Sequence, residues 1–412
     1  MQYSCGQFAV SVCSHTFTMK ILILSANTGE GHNSSGKALM QAMRERGMEV
    51  EMKDTLSISK PNSKSHNSQF VSKAYVKSTR GFNLFSKVYA LAQWVSRHLN
   101  KHRHSPIYWI NKLYWRRLWH YIEDNHFDAV VSVHLFAAEK LTAVKREGKL
   151  NVPTYFVMTD YTIHAFLNDT ELDYYIIPHK DLIPLYVSEG FSKESLMPFG
   201  IPVDVARFTN RMDQKEARRQ AARTLGFTLT EKDESLEESK WYLMMSGSMG
   251  FGNMSALLRE FLAHMRPDSR VICVCGRNGN NLQVIKRDFG DNPRVCPIGF
   301  TDQIALLMDA CDVVLTKPGG ITTTETLIKN IPLVHTAPIP GIESENAAFC
   351  HKRNMSFYSP DLKEQAAAAI RLANDTQYRE AMLTSQRANS HRDACEQIIS
   401  LIEKTTGMAS GK

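Results

Sequence analysis

The sequence predicts an α/β protein made of two doubly wound units, each a parallel sheet wrapped by helices, with a cleft between them. Three observations predict it. Short, nearly continuous apolar runs rich in Val and Ile recur along the chain, as strands buried on both faces of a parallel sheet do. Helix-like stretches alternate with these runs, the order that builds doubly wound sheets. A chain of 412 residues exceeds one ordinary core, so two domains of roughly 150–200 residues are expected.

Taken in order, residues 1–18 (MQYSCGQFAVSVCSHTFT) have no basic n-region and only a weak apolar stretch. They read as a disordered leader, or as an upstream start before the MKILILSANTG that begins at Met19, rather than as a secretory signal. Strands of the first unit are predicted at 20–25, 129–133, 154–158 and 174–177. The charged stretch 207–240, which contains EKDESLEESK, reads as an exposed helix and linker and sets the boundary near 203–210. Residues 19–205 are therefore assigned to the first domain and 206–390 to the second. Strands of the second unit are predicted at 241–246, 271–275, 295–298, 312–316 and 333–335. A polar, amphipathic helical stretch over 376–405 follows, and 391–412 is assigned to a C-terminal helix and tail.

Composition narrows the class. The chain is 43% hydrophobic and 22% charged, as globular proteins are, and no apolar run approaches the roughly 20 residues that span a bilayer. None of its eight cysteines forms a CxxC pair, so buried reduced thiols in a cytosolic protein are expected rather than a zinc site or disulfides. The net charge is only +7 but unevenly spread: residues 55–122 contain no Asp or Glu, twelve Lys or Arg and twelve aromatics. Within this stretch Phe82, Phe85, Tyr89, Ala92 and Val95 mark one apolar helical face, and IYWINKLYWRRLWHYI is aromatic nearly all round. Basic and aromatic groups together fit nucleic acid, a membrane interface, or a helical flank with core aromatics. We take the interfacial reading, with Phe82, Phe85, Trp94, Arg97, Trp109, Trp115 and Arg116 at an anionic membrane surface and no nucleic-acid partner.

Ligands of open α/β sheets bind beyond the carboxyl ends of strands. Three strand-to-helix turns there are glycine-rich: SANTGEGHNSSGKAL, SGSMGFGNM and TKPGGITTTETL. The first has the wrong spacing for a P-loop, which argues against an ATPase. In the third, Gly319 and Gly320 would let backbone approach an anion at a helix N-terminus, with Thr322 and Thr323 as hydroxyl donors. Glu325 would repel phosphate but suits the vicinal hydroxyls of a ribose. An ordinary helix start, with Thr as cap and Glu in the first turn, fits the same letters.

These turns, with TDYTIHAF, MPFGIPV, GFTDQIALLMDACDVVLTKPGG and PIPGIESENA, resemble the monogalactosyldiacylglycerol-synthase and processive diacylglycerol-glucosyltransferase family. The similarity runs over about 19–390 and extends distantly to the peptidoglycan lipid-precursor N-acetylglucosaminyltransferase. It implies two Rossmann-like domains in a GT-B glycosyltransferase fold, with a UDP-sugar on the second domain and a lipid acceptor on the first. By position, Glu325 matches the ribose-binding glutamate, and Gly319, Gly320, Ile321, Thr322 and Thr323 match the diphosphate turn. Phe300 and Thr301 match the uracil segment, and Gly247, Ser248 and Met249 the other glycine-rich turn. Glu343 and Asn346 match sugar contacts of P-G-Q-E-x-x-N, where Ile342 replaces the usual Gln.

The general base is then sought near the cleft. His32, opening the first helix, and Asp160, in TDYTIH, are the candidate catalytic pair, with Asp160 orienting His32, itself the base, or holding the loop. His164 shares that ambiguity. No DxD-like pair stands at a strand end, so neither metal nor cofactor is expected. The resemblance implies inverting transfer of a hexose from UDP-hexose to diacylglycerol by a peripheral enzyme on the cytoplasmic face of the cell membrane. Another lipid acceptor, a UDP-sugar 2-epimerase or a catalytically silent lipid-binding sensor are the alternatives.

Overall fold

The computed structural model describes residues 18–26, 30–59, 108, 114–247, 254–277 and 279–409. Twelve strands among them form two six-stranded parallel sheets. The first contains β1 (Lys20–Ser25), β2 (Glu49–Asp54), β3 (Ala129–Ser132), β4 (Thr154–Val157), β5 (Tyr174–Ile176) and β6 (Leu196–Met197), in the order β2-β1-β3-β4-β5-β6. The second contains β7 (Trp241–Met245), β8 (Arg270–Val274), β9 (Val295–Ile298), β10 (Val313–Thr316), β11 (Leu333–His335) and β12 (Phe357–Tyr358). Its order is β12-β11-β10-β7-β8-β9.

Why apolar runs make central strands here is visible in β1 and β7. Leu22 and Leu24 join the core cluster that includes Leu118, Ile122 and Phe127, while Ile21 and Ile23 join the cluster on the opposite face, and all four are fully buried. In β7, Trp241 and Leu243 alternate in the same way with Tyr242 and Met244. Both faces are covered, so no polar position breaks the run. In contrast β2 (EVEMKD) lies at a sheet edge with most of its residues half-buried, and its charged alternation hides it from a search for apolar runs. The two-residue strands β6 and β12 hold two further edges and were also outside the expected set.

The charged segment after the first domain differs from the exposed linker expected. Its helix Gln214–Leu225 buries Ala217, Arg218, Ala221 and Ala222. The Arg218 guanidinium donates to Asp312 Oδ2 at 2.8 Å and to the carbonyls of Ala310, Asp233 and Ser239. An arginine can be buried when its fork of donors is met, as here. The final helical stretch is also broken, into Thr376–Asn389 and Ala394–Ala409. The second piece returns to the first domain, where Cys395, Ile398, Ile399 and Ile402 pack against Ile21, Leu39 and Val131. Residues 1–17 of the expected leader lie outside the described residues.

Candidate active site in the interdomain cleft

Strand order reverses between β1 and β3 in one sheet and between β7 and β10 in the other, which puts both switch points at the cleft. The helix Glu30–Glu45 leaves β1 there, and the helix Gly320–Lys329 leaves β10 opposite it. They approach closely: a Cβ on Gly31 would lie 3.4 Å from Ile321 Cγ1. A Cβ on Gly320 would lie 1.9 Å from the Thr159 carbonyl oxygen, so no other residue fits this contact without displacement.

His32 and Asp160 come together on the first domain, although they do not touch. His32 Nδ1 lies 2.9 Å from Thr159 Oγ1, which donates to Asp160 Oδ2 at 3.4 Å. His164 Nε2 is 3.1 Å from the same carboxylate oxygen. Burial lowers the His32 pKa to about 4, reinforced by His164 and opposed by Asp160 and the Val133 backbone. Burial alone would raise the Asp160 pKa. His164, by hydrogen bond and charge, outweighs it together with His32 and Asn346, and the carboxyl sits below its ordinary value. The site thus holds a neutral imidazole beside an ionised carboxylate, the protonation states that proton abstraction near neutrality requires.

On the second domain, Gly319 is the N-cap of its helix and supplies no side-chain cap, so the threonines do not cap it. The Thr323 hydroxyl is buried against His335 Nε2 at 3.1 Å instead of facing the turn as a donor, and Thr322 is half-buried in the first helical turn. Glu325 is half-buried and makes no hydrogen bond or ion pair among the described residues. Burial pushes its carboxyl up to about 8, opposed by Arg207 and reinforced by Asp204 of the interdomain segment. Its surroundings place it beside the crossing between domains. Glu343 pairs with the Lys317 ammonium and accepts from Ile339 N at 2.9 Å. Gly247 follows β7 at φ +72°, and a Cβ there would meet the Lys317 side chain at 2.5 Å. Phe300 is 57% exposed beyond β9, with the Arg277 guanidinium 4.3 Å from its ring centre. Neighbouring Thr301 accepts from Gln303 N at 3.1 Å. Ser248 and Met249 lie outside the described residues.

Residues 32–203 match the model of the monogalactosyldiacylglycerol (MGDG) synthase family. A processive diacylglycerol β-glucosyltransferase of Bacillus cereus (strain G9842) is 26% identical over 378 residues, covering 88% of this chain and 89% of the relative. Over these residues the chain is similar to the MGDG synthase family. Among solved structures, Acinetobacter baumannii MurG aligns with a TM-score of 0.61 at 14% identity, over 94% of this chain and 99% of that one. Anabaena HepE in complex with UDP-glucose aligns with a TM-score of 0.55 at 14% identity, over 95% of this chain and all of that one. The architecture is the GT-B glycosyltransferase fold.

The MGDG-synthase match ends just before the boundary segment, so it covers the side of the cleft that carries His32 and Asp160. On that domain the helix Trp115–Asp124 buries Leu118 and Ile122, half-buries Trp115 against the core and leaves Arg116 exposed. Trp115 is therefore partly a packing residue, with Arg116 5.5 Å above its ring. Phe82, Phe85, Trp94, Arg97 and Trp109 lie outside the described residues. Sequence reasoning missed His134, whose ring lies edge-on to His32 at 4.8 Å. Burial holds its pKa well below the ordinary value, and His32 and His164 add to that. Its Nδ1 accepts from Phe136 N at 3.1 Å and so caps the helix Leu135–Arg146. Its signal was positional: it stands just beyond the carboxyl end of β3, at the switch point. Lys317, also missed, stands likewise just beyond the carboxyl end of β10, separated from the paired glycines by Pro318.

Proposed function

We propose that this chain is a UDP-sugar-dependent glycosyltransferase that moves a hexose onto the hydroxyl of diacylglycerol and so makes a glycolipid. The observation that carries the reading is the meeting, in one cleft, of a helix N-terminus without a side-chain cap, a Glu325 with no partner among the described residues, and a neutral His32 beside the Asp160 carboxylate. The names of the curated relatives and the UDP-glucose bound to HepE supply the substrate classes.

Each group has a task in this reading. The diphosphate lies at the N–H groups that open the helix Gly320–Lys329, with the Lys317 ammonium nearby, and these stabilise the charge on departing UDP. Glu325 takes the ribose hydroxyls and Phe300 and Thr301 the uracil. His32 removes the proton of the acceptor hydroxyl as that oxygen attacks the sugar carbon from the face opposite UDP, which inverts the centre. No helix among the described residues is long and apolar enough to cross a membrane. The acid-free stretch 55–122 carries the enzyme to a bilayer surface, each basic group contributing about 1 kcal/mol on anionic lipid. We place it peripherally, on the cytoplasmic face.

The test is incubation with vesicles that contain diacylglycerol, using labelled UDP-glucose and UDP-galactose in separate reactions, followed by lipid extraction. Label in a monohexosyl lipid is the expected result and names the sugar. Label only when a polyprenyl phosphate or a preformed glycolipid replaces diacylglycerol would move the acceptor to that class. Conversion of UDP-N-acetylglucosamine to its 2-epimer, without any lipid product, would overturn the reading.

A further inference from the structure

Asn346 stands where the resemblance puts a sugar contact, yet its side chain is fully buried. Its Nδ2 donates to Asp160 Oδ1 at 2.8 Å and to the Pro318 carbonyl at 2.9 Å, and its Oδ1 accepts from Tyr161 N at 2.6 Å. The amide thus reaches from the second domain across the cleft and holds the loop that bears Asp160 from both sides. The same loop docks on that domain at three further places. The Thr159 carbonyl abuts Gly320, Tyr161 Oη lies 2.9 Å from Thr324 Oγ1, and the Tyr161 ring stacks on Phe349 at 5.2 Å. Asp160 is linked by hydrogen bonds to His32 through the Thr159 hydroxyl, and His164, bonded to the same carboxylate, lies edge-on to the His32 ring at 6.1 Å.

We propose that Asn346 is a positioning residue that assembles the acceptor-side base from the donor-side domain, and that Thr159 transmits this to His32. Closure of the two domains completes the His32–Thr159–Asp160 chain. In the tautomer with the imidazole proton on Nδ1, His32 donates to Thr159 and Thr159 to Asp160, which leaves Nε2 the lone pair that accepts the proton of the acceptor hydroxyl. In an open cleft Asp160 loses Asn346, Thr159 loses its contact with Gly320, and the base is unaligned. Proton abstraction is thereby tied to closure around the donor, which keeps activated oxygen and sugar nucleotide from meeting unpaired. The inference rests on the cleft being a glycosyl-transfer site.

The experiment compares wild type with Asn346→Asp, Asn346→Ala, Thr159→Ser and Thr159→Val, measuring kcat, the KM of the sugar nucleotide and UDP binding by calorimetry. Asn346→Asp separates the two roles, because a carboxylate still accepts from sugar hydroxyls but is repelled by Asp160. A strut predicts that kcat falls about 100-fold or more, with donor KM within about threefold and UDP affinity unchanged. It also predicts that Thr159→Ser stays within about threefold of wild type while Thr159→Val loses about tenfold or more in kcat. A rise of about tenfold in donor KM at preserved kcat for Asn346→Asp, or equal behaviour of the Thr159 pair, overturns the proposal. If Asn346→Asp does not fold, the exchange Asp160→Asn with Asn346→Asp decides. Recovery of cooperative thermal unfolding shows the two side chains are coupled across the cleft, and no recovery overturns it. Absence of glycolipid from the wild type is a different failure, that of the transferase reading itself.

Discussion

A carboxylate that burial disfavours is retained at Glu325, and its chemistry gives a prediction that separates stability from binding. Its pKa of about 8 in the fold lies above the unfolded value of 4.5, so the folded state binds more protons between these limits. Stability from this group is present below pH 4.5 and is lost as pH rises to about 8. Glu325→Gln should therefore raise the thermal midpoint at pH 9 more than at pH 5, while weakening UDP binding by about tenfold or more through the lost ribose bonds. Calorimetry at both pH values checks it. His32 has the opposite sign. Its folded pKa of about 4 lies below 6.5, so the stability it contributes is present above 6.5 and fades as pH falls to about 4. The acid limb of kcat/KM should accordingly lie near 4 rather than 6.5. His32→Ala should lower kcat by about 100-fold or more. At this scale, although Asn346 was expected as a sugar contact and is instead buried against Asp160 and Pro318, His32, Asp160, Glu325 and Asn346 were all identifiable as candidates in quoted motifs. Their partners were not. That Thr159 links His32 to Asp160, or that the Thr323 hydroxyl turns inward to His335, depends on side-chain directions that no spacing encodes.

Among the elements, the helix Gly320–Lys329 is the most constrained, since its start meets the first domain at Thr159 and Gly31. Gly320 is needed there for close approach and not for an unusual backbone, as it opens a regular helical turn. Gly320→Ala should keep the second domain folded but hold the cleft apart by the clash with the Thr159 carbonyl. We expect kcat to fall by about 100-fold with little change in UDP affinity, and scattering in the presence of UDP to show a larger radius than for wild type. Central strands were legible because both their faces are apolar. The edge strand β2 was hidden by Glu49, Glu51, Lys53 and Asp54 on a half-covered surface. The helix Gln214–Leu225 was misjudged as exposed for a related reason. Sequence displays the charge of Arg218 but not the three carbonyls and the Asp312 carboxylate that receive it.

For the molecule as a whole, two crossings join the domains: the segment after β6 and the return of the chain to the helix Ala394–Ala409. That helix covers the first sheet with Ile398, Ile399 and Ile402, and its Glu396 and Glu403 pair with Arg46. Truncation after residue 390 should expose this apolar face and turn a single cooperative transition into early unfolding of the first domain, followed by differential scanning calorimetry. A lone helix at the end of a sequence gives no sign of which sheet it will cover, so this tie was outside what the letters convey. The two sheets and the cleft followed from the alternation of strands with helices and from glycine turns at strand ends. The claim at the centre is that this cleft joins a UDP-bound hexose to a bilayer lipid, with proton removal on one domain and leaving-group stabilisation on the other. The most direct measurement is extractable labelled lipid formed from UDP-hexose on diacylglycerol vesicles by wild type, His32→Ala and Glu325→Gln. Steady formation by wild type, loss of turnover in His32→Ala and a raised donor requirement in Glu325→Gln are predicted. Equal turnover by all three, or none by wild type with either UDP-hexose, would contradict it.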